Sequence, residues 1–130
     1  MGVRFPGGGT TANLGNYPAS GAETIIFTTP PVSISIDFAP VFILWYYSLA
    51  VGAGTTSILV RIRRGAALTS LLINNAGVQA VTAATNTITA GLWVDTPGAV
   101  AAVQYSLSVS GTGTTGAAAF IDGGMLAFSL

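Results

Sequence analysis

The stretch VFILWYYSLAV, residues 41–51, lies between Pro40 and Gly52 and carries no charge. Ser48 is its only clearly polar side chain apart from two tyrosines. A membrane-spanning helix takes about 20 apolar residues, and this run has 11. As a strand it reaches about 36 Å, and Val, Phe, Ile, Trp and Tyr are strand formers. Split at period two, Val41, Ile43, Trp45, Tyr47, Leu49 and Val51 share one face. Phe42, Leu44, Tyr46, Ser48 and Ala50 share the other. An antiparallel sandwich strand usually keeps one polar face, and here both faces are apolar over most of their length. The run therefore reads as a strand covered twice, once by its own core and once by sister copies of the chain. The competing source of cover is the chain's own loops or N-terminal arm.

Segments on either side repeat the strand signal. ETIIFTT (23–29) is β-branched and stops at Pro30-Pro31. VSISIDF (32–38) alternates Val32, Ile34, Ile36 and Phe38 against Ser33, Ser35 and Asp37, which predicts a half-buried strand with one wet face. SILVRIRR (57–64), ALTSLLI (67–73) followed by the turn NNAG, NTITAGLWVDT (86–96), VQYSLSVS (103–110) and AAAFIDGGMLAFSL (117–130) complete the series. Gly123-Gly124 marks a bulge in the last of these. About eight short antiparallel strands at spacings near a dozen residues predict an all-β sandwich or barrel. A short helix competes at VQAVTAATN (78–86) and at TPGAVAAVQY (96–105), where Thr96 and Pro97 suit a helix start. A transmembrane β-barrel ranks low, because serine-lined faces recur in a short chain. Residues 1–20, rich in Gly, Pro, Asn and Thr, read as an extended N-terminal arm anchored by a few apolar residues, and 21–130 as the folded domain.

Charge is scarce. Four arginines and four carboxylates make 6% of 130 residues, against about 25% in an ordinary soluble domain, and the net charge is zero. Self-repulsion between monomers is therefore missing, which favours cover by other chains. Nucleic acid is excluded as a partner: tight phosphate binding takes roughly 6–10 contacts, and the chain has four basic residues in all. The segment MGVRFPGGGTTANLG has no continuous apolar run of the secretory type, so the expectation is synthesis and retention in a cytoplasm until assembly.

Histidine, cysteine and lysine are absent, which removes the common general base, the thiolate nucleophile and the Schiff-base amine. Glu23, Asp37, Asp95 and Asp122 are isolated on different segments, so a glycosidase pair is disfavoured. No ligand-rich loop suggests a metal, and no phosphate loop or cofactor motif occurs. The reading is no enzyme, with catalytic, cofactor and metal sites none. Arg61 and Arg63 alternate onto one strand face; they read either as a docking cluster for an acidic neighbour or as an intrachain pair with Glu23, Asp37, Asp95 or Asp122. Trp45, Tyr46 and Tyr47 read as core or interface. Trp93, beside Asp95 near a loop, is the better candidate for sugar stacking.

The succession RIRRG, VDTPGA, VQYSLSVSG and the glycine-flanked closing strand GGMLAFSL resembles the TNF/C1q-like jelly rolls of bacteriophage virion proteins over residues 22–130. The resemblance rests on strand order and style. It implies a single jelly-roll β-sandwich forming a homotrimer, with the strand at 41–51 and the last strand on a dry inner sheet around the threefold axis. It implies a capsid decoration or cement protein on the virion surface, bound to the major capsid protein or another virion protein. The alternative on the same fold is a receptor- or glycan-binding head-fibre or tail-tip module. No cofactor, nucleic acid or membrane is expected as a partner. The candidate oligomer interface is Phe42, Leu44, Trp45, Tyr46, Tyr47, Met125 and Phe128, with Trp45→Ser expected to dissociate the oligomer. The candidate shell-docking set is Val3, Arg4, Phe5, Arg61 and Arg63.

Overall fold

β-Branched and aromatic residues in period two form strands along the whole described chain. The computed structural model describes residues 10–11, 16–18, 23–51, 55–82, 86–111 and 117–129. Among these residues the strands are β1 (Thr10–Thr11), β2 (Asn16–Pro18), β3 (Thr24–Thr28), β4 (Val32–Ser33), β5 (Val41–Val51) and β6 (Thr55–Arg64). β7 (Leu71–Thr82), β8 (Asn86–Asp95), β9 (Ala102–Val103), β10 (Tyr105–Gly111) and β11 (Ala117–Ser129) follow. Neither segment with a competing helical reading is a helix where it is described. Residues 78–82 continue β7, and 96–105 form a loop, β9 and the start of β10.

The pairing is that of one long ribbon folded upon itself. β2 pairs with β11, β3 with β10, β4 with β9, β5 with β8, and β6 with β7, all antiparallel. The ribbon then rolls up, so that β11 lies against β5 and β10 against β6. Eight strands in two such sheets make a jelly roll. The first sheet runs β1-β3-β10-β6-β7, with β1 added at its edge, and the second runs β2-β11-β5-β8. β2 falls within the segment read as an arm, yet it is the ribbon's first strand. Both described pieces of that segment pair with their own chain, β1 with β3 and β2 with β11.

Where the ribbon crosses from one sheet to the other, the short β4–β9 pair keeps it zipped. The Ile34 N–H donates to the Ala101 carbonyl at 2.9 Å, and the Phe38 N–H to that of Gly98 at 3.4 Å. This corner corrects the strand expected at 32–38. Val32 and Ile34 are buried as predicted, but the strand ends at Ser33. Residues 36–38 turn instead, leaving Ile36 and Phe38 exposed. Ala39 donates to the Ile36 carbonyl at 3.0 Å, and Phe38 takes φ 62°, which is costly for a bulky side chain.

The expected strand at 67–73 and turn at 74–77 are also corrected. Residues 65–70 form the loop, and β7 runs straight through NNAG. The register against β6 shifts twice, between Val60 and Arg61 and between Ile62 and Arg63; Ala76 and Ile73 are the extra residues, while Asn74, Asn75 and Gly77 are paired. In β11 the shift falls between Phe120 and Asp122, ahead of the predicted glycine pair.

The core fills the space between the sheets with Ile26, Phe27, Val41, Ile43, Tyr47, Val60, Ile62, Tyr105, Leu107 and Val109. At one end of the sandwich a polar tie joins the layers. Arg64 of β6 grips Asp95 of β8 through two hydrogen bonds, 2.8 Å from Nε and 2.6 Å from an Nη, while the Tyr105 hydroxyl donates to Asp95 at 2.8 Å. Burial pushes the Tyr105 hydroxyl far above its ordinary range, and the Asp95 carboxylate adds to the effect. The Asp95 bonds and charge likewise raise Arg64, over an opposing effect of burial.

The glycines of the second sheet make room for aromatic rings. Gly91 stands opposite Trp45 in the register, and a Cβ there would lie 2.2 Å from a ring carbon of Trp45. Gly91→Ala should therefore lower the unfolding free energy by about 1–3 kcal/mol. Urea denaturation monitored by Trp fluorescence measures this, and an unchanged midpoint would contradict the packing described.

Candidate interaction surface

Two outer faces of opposite character flank the core. On the first sheet, β6 presents Arg61 and Arg63, β10 presents Ser106, Ser108 and Ser110, and Glu23 stands just before β3. Arg63 reaches both Glu23 carboxylate oxygens, at 2.8 and 2.9 Å, and also donates to the Ser70 carbonyl at 3.0 Å. Arg61 lies 3.3 Å from Glu23 and donates to the Ser110 hydroxyl at 3.3 Å. The Ser108 hydroxyl completes the cluster with a 2.5 Å bond to Glu23. Burial pushes the Glu23 carboxyl up. The Ser108 bond and the charges of Arg63 and Arg61 outweigh it, so the carboxyl sits below its ordinary value of 4.5.

Arg61 and Arg63 of the expected docking set are thus engaged within the chain, as the intrachain alternative supposed. The side chain of Arg63 is only 12% exposed. Val3, Arg4 and Phe5 lie outside the described residues.

The outer face of the second sheet is apolar. Strand alternation sends Phe42, Leu44 and Tyr46 of β5 outward. The register sets Val94, Leu92 and Ala90 of β8 beside them on one flank, and Phe128, Leu126 and Gly124 of β11 on the other. Phe42 and Phe128 stack at 5.5 Å between ring centroids, 18° from parallel. The Tyr46 ring lies over Gly124, where a Cβ would meet it at 3.2 Å. An open groove of about 570 Å³ runs along this face past Leu44, Tyr46, Gly91, Gly124 and Leu126, and no acid or arginine lines it. A groove with this lining suits an apolar partner surface or ligand.

Four of the seven residues expected at the oligomer interface lie on this outer face: Phe42, Leu44, Tyr46 and Phe128. The other three are corrected to the core. Trp45 is 8% exposed, Tyr47 1% and Met125 3%, because odd positions of β5 and β11 point inward. Trp45 fills the space over Gly91. Burial raises the Tyr47 hydroxyl above its ordinary range, partly offset by its hydrogen bond with Thr89. Ile88, Leu92 and Val94 on β8 are exposed members of the outer face that the candidate interface set does not include. The same period-two split, applied to NTITAGLWVDT, finds them. Trp93 points to the inner side yet stays 37% exposed, because β8 is the sheet's edge.

No family model matches the chain, and no curated protein matches it. Among solved structures, a chain in the structure of infectious bursal disease virus, Gx strain, superposes on 87% of this chain with a TM-score of 0.55 and 16% identity. This chain spans 29% of the length of that one. The similarity is one of fold, and it is consistent with the jelly-roll pairing described above.

Two outcomes follow. Trp45→Ser should cost about 3–5 kcal/mol of protomer stability, the range for emptying a buried aromatic site, rather than act at an interface; chemical denaturation distinguishes the two. Because the Glu23 carboxyl is lowered in the fold, its contribution is fully present above about pH 4.5 and is lost as the pH falls through the lowered value. Glu23→Gln should be less stable at pH 7 and should lack that part of the acid slope in a urea–pH series.

Proposed function

We propose that this chain is a structural, non-catalytic protein of a virus particle: a jelly-roll module that decorates and cements a bacteriophage capsid as a homotrimer. The observation that carries the proposal is the apolar groove on the outer face of the second sheet, with the exposed Leu44, Tyr46, Leu92 and Val94 along it. The fold it shares with a chain from a virus structure supports it, as does the scarcity of charge. Leu44, Tyr46, Ile88, Leu92 and Val94 are all exposed on that face, and a contiguous exposed apolar patch marks an interaction site. A closed ring gives each copy two neighbours to cover it.

In this reading the β5–β11 half of the face, with Phe42, Leu44, Tyr46 and Phe128, packs around a threefold axis, as the resemblance to trimeric phage virion proteins implies. The role is mechanical: the trimer bridges capsid subunits at the particle surface after synthesis in the host cytoplasm.

Leu44→Asp puts an unpaired charge at the centre of the face on a side chain that is already partly exposed. It is expected to leave the protomer folded and weaken the trimer at least tenfold, measured by sedimentation equilibrium. The intact trimer should bind expanded capsids at fixed stoichiometry and raise their heat resistance. Binding to host cells or glycan arrays by the isolated trimer, with none to capsids, would favour a fibre-tip module instead. A trimer unaffected by Leu44→Asp would refute the assigned face.

A further inference from the structure

A strand at a sheet edge exposes a row of backbone donors and acceptors, and soluble proteins blunt such edges with charge, proline, bulges or short length. Among the described strands, most edges of this sandwich are blunted. β1 and β2 are two and three residues long. β7 carries two register shifts against β6. β8 is different. It is ten residues long, pairs with β5 without a register shift, and has no described strand on its other flank. Residues 86–94 include no charge and no proline. Its one charged residue, Asp95, is buried and held by Arg64 and Tyr105. Ile88, 75% exposed, and Leu92, 56% exposed, are the most exposed large apolar side chains of the second sheet.

We propose that β8 is a pairing edge for a second copy of this chain. Two β8 strands run antiparallel about a twofold axis perpendicular to the sheet, joining two four-strand sheets into one. Three features commit the edge to this occupant. An open strand flank is chemically specific for another extended backbone. A twofold axis supplies an antiparallel mate of the same sequence with no further requirement. Self-pairing is ordinarily blocked by like charges meeting across the edge, and residues 86–94 bring none. The pairing also sets Ile88, Ala90, Leu92 and Val94 of both copies on the same side, merging two apolar faces into one.

The inference rests on reading the chain as a self-assembling structural protein, but it uses a different symmetry element from the packing of the β5–β11 half. Threefold rings joined through twofold edges form a closed D3 particle or an extended net. Such a net is a means by which neighbouring trimers tie to one another across a shell.

The chain contains no cysteine, so an introduced one reports only its own symmetry mate. Ile88→Cys, Ala90→Cys, Leu92→Cys and Val94→Cys, alone and in pairwise mixtures, are oxidised mildly in the full-length protein. A disulfide-linked dimer is expected in high yield for the one position or pair nearest the axis, falling away on either side, because the bridge needs Cα atoms about 4.4–6.8 Å apart. Adding Ile88→Lys with Leu92→Lys should reduce that crosslink at least tenfold while circular dichroism still reports a folded sheet. Amide exchange in β8 should slow at least tenfold as protein concentration rises through the assembly range. Yields no higher than for Thr69→Cys, an exposed control in the 65–70 loop, would overturn the proposal, as would concentration-independent exchange in β8. Native mass spectrometry separates the two contacts. Trimers alone sink the edge and leave the face standing, dimers alone do the reverse, and monomers alone defeat both.

Discussion

A strand in a two-layer sandwich has one face for the core and one for whatever lies outside, and β5 is apolar on both. Nearly everything else in the molecule follows from where β5 sits. It is an inner strand of the second sheet, paired on both flanks over most of its length. Its odd positions supply Val41, Ile43, Trp45 and Tyr47 to the core, and its even positions make the centre of an apolar outer surface. The strand cannot slip by one residue to relieve this, because a slip only exchanges one apolar set for the other. Register is held instead by shape. Large rings stand opposite glycines, Trp45 opposite Gly91, Tyr46 opposite Gly124 and Tyr47 opposite Gly123. A shifted pairing would bring those rings against side chains that fill the same space.

The described arginines are spent on bonds within the chain. Glu23 gathers Arg61 and Arg63 on the first sheet, and Asp95 gathers Arg64 and Tyr105 between the layers. Each cluster links strands distant in sequence, so each stabilises the rolled ribbon. Neither leaves much charge on the surface. Asp37 stands outside these ion pairs, on the exposed corner. A protein that uses its few ions in this way has little electrostatic means of keeping copies apart. The proposed self-association draws on this lack of repulsion as well as on the outer face.

Reading the sequence reached the all-β class, the strands over 41–51 and 103–110, and the doubly apolar character of VFILWYYSLAV, because period two is a local property. It failed where tertiary pairing overrides local signals. NNAG has strong turn chemistry, but β6 pairs with Asn74, Asn75 and Gly77, and Ala76 is the extra residue. VSISIDF has clean alternation, but the ribbon turns a corner there, and Ile36 and Phe38 are left outside. Asn16–Pro18 has no strand signal at all and is paired because β11 extends past it. For the candidate surface, aromaticity was the wrong guide: it drew Trp45 and Tyr47 into the interface set, whereas parity along the strand sends both inward. Parity also finds Ile88, Leu92 and Val94, which carry no aromatic signal and were passed over.

The difference between the two sheets gives the assembly a direction. The first sheet's outer face carries a polar cluster in which the Arg61 and Arg63 guanidinium groups, the Glu23 carboxylate and the Ser108 and Ser110 hydroxyls are bonded to one another, while the buried Ser106 hydroxyl has no partner among the described residues. Bringing a second protein onto it means desolvating ions that have little left to gain, so burial there is costly. The second sheet's outer face, around Leu44, Leu92 and Leu126, offers mainly aliphatic and aromatic area to bury, with the Tyr46 hydroxyl as a polar tip at its side. Of the two sheet faces, contacts between copies are therefore favoured on one. A ring built with the second sheets inward leaves the first sheets outward and wet. The end loops, including the strained corner at Phe38, then stand at the rim, where a shell or a neighbouring ring can reach them.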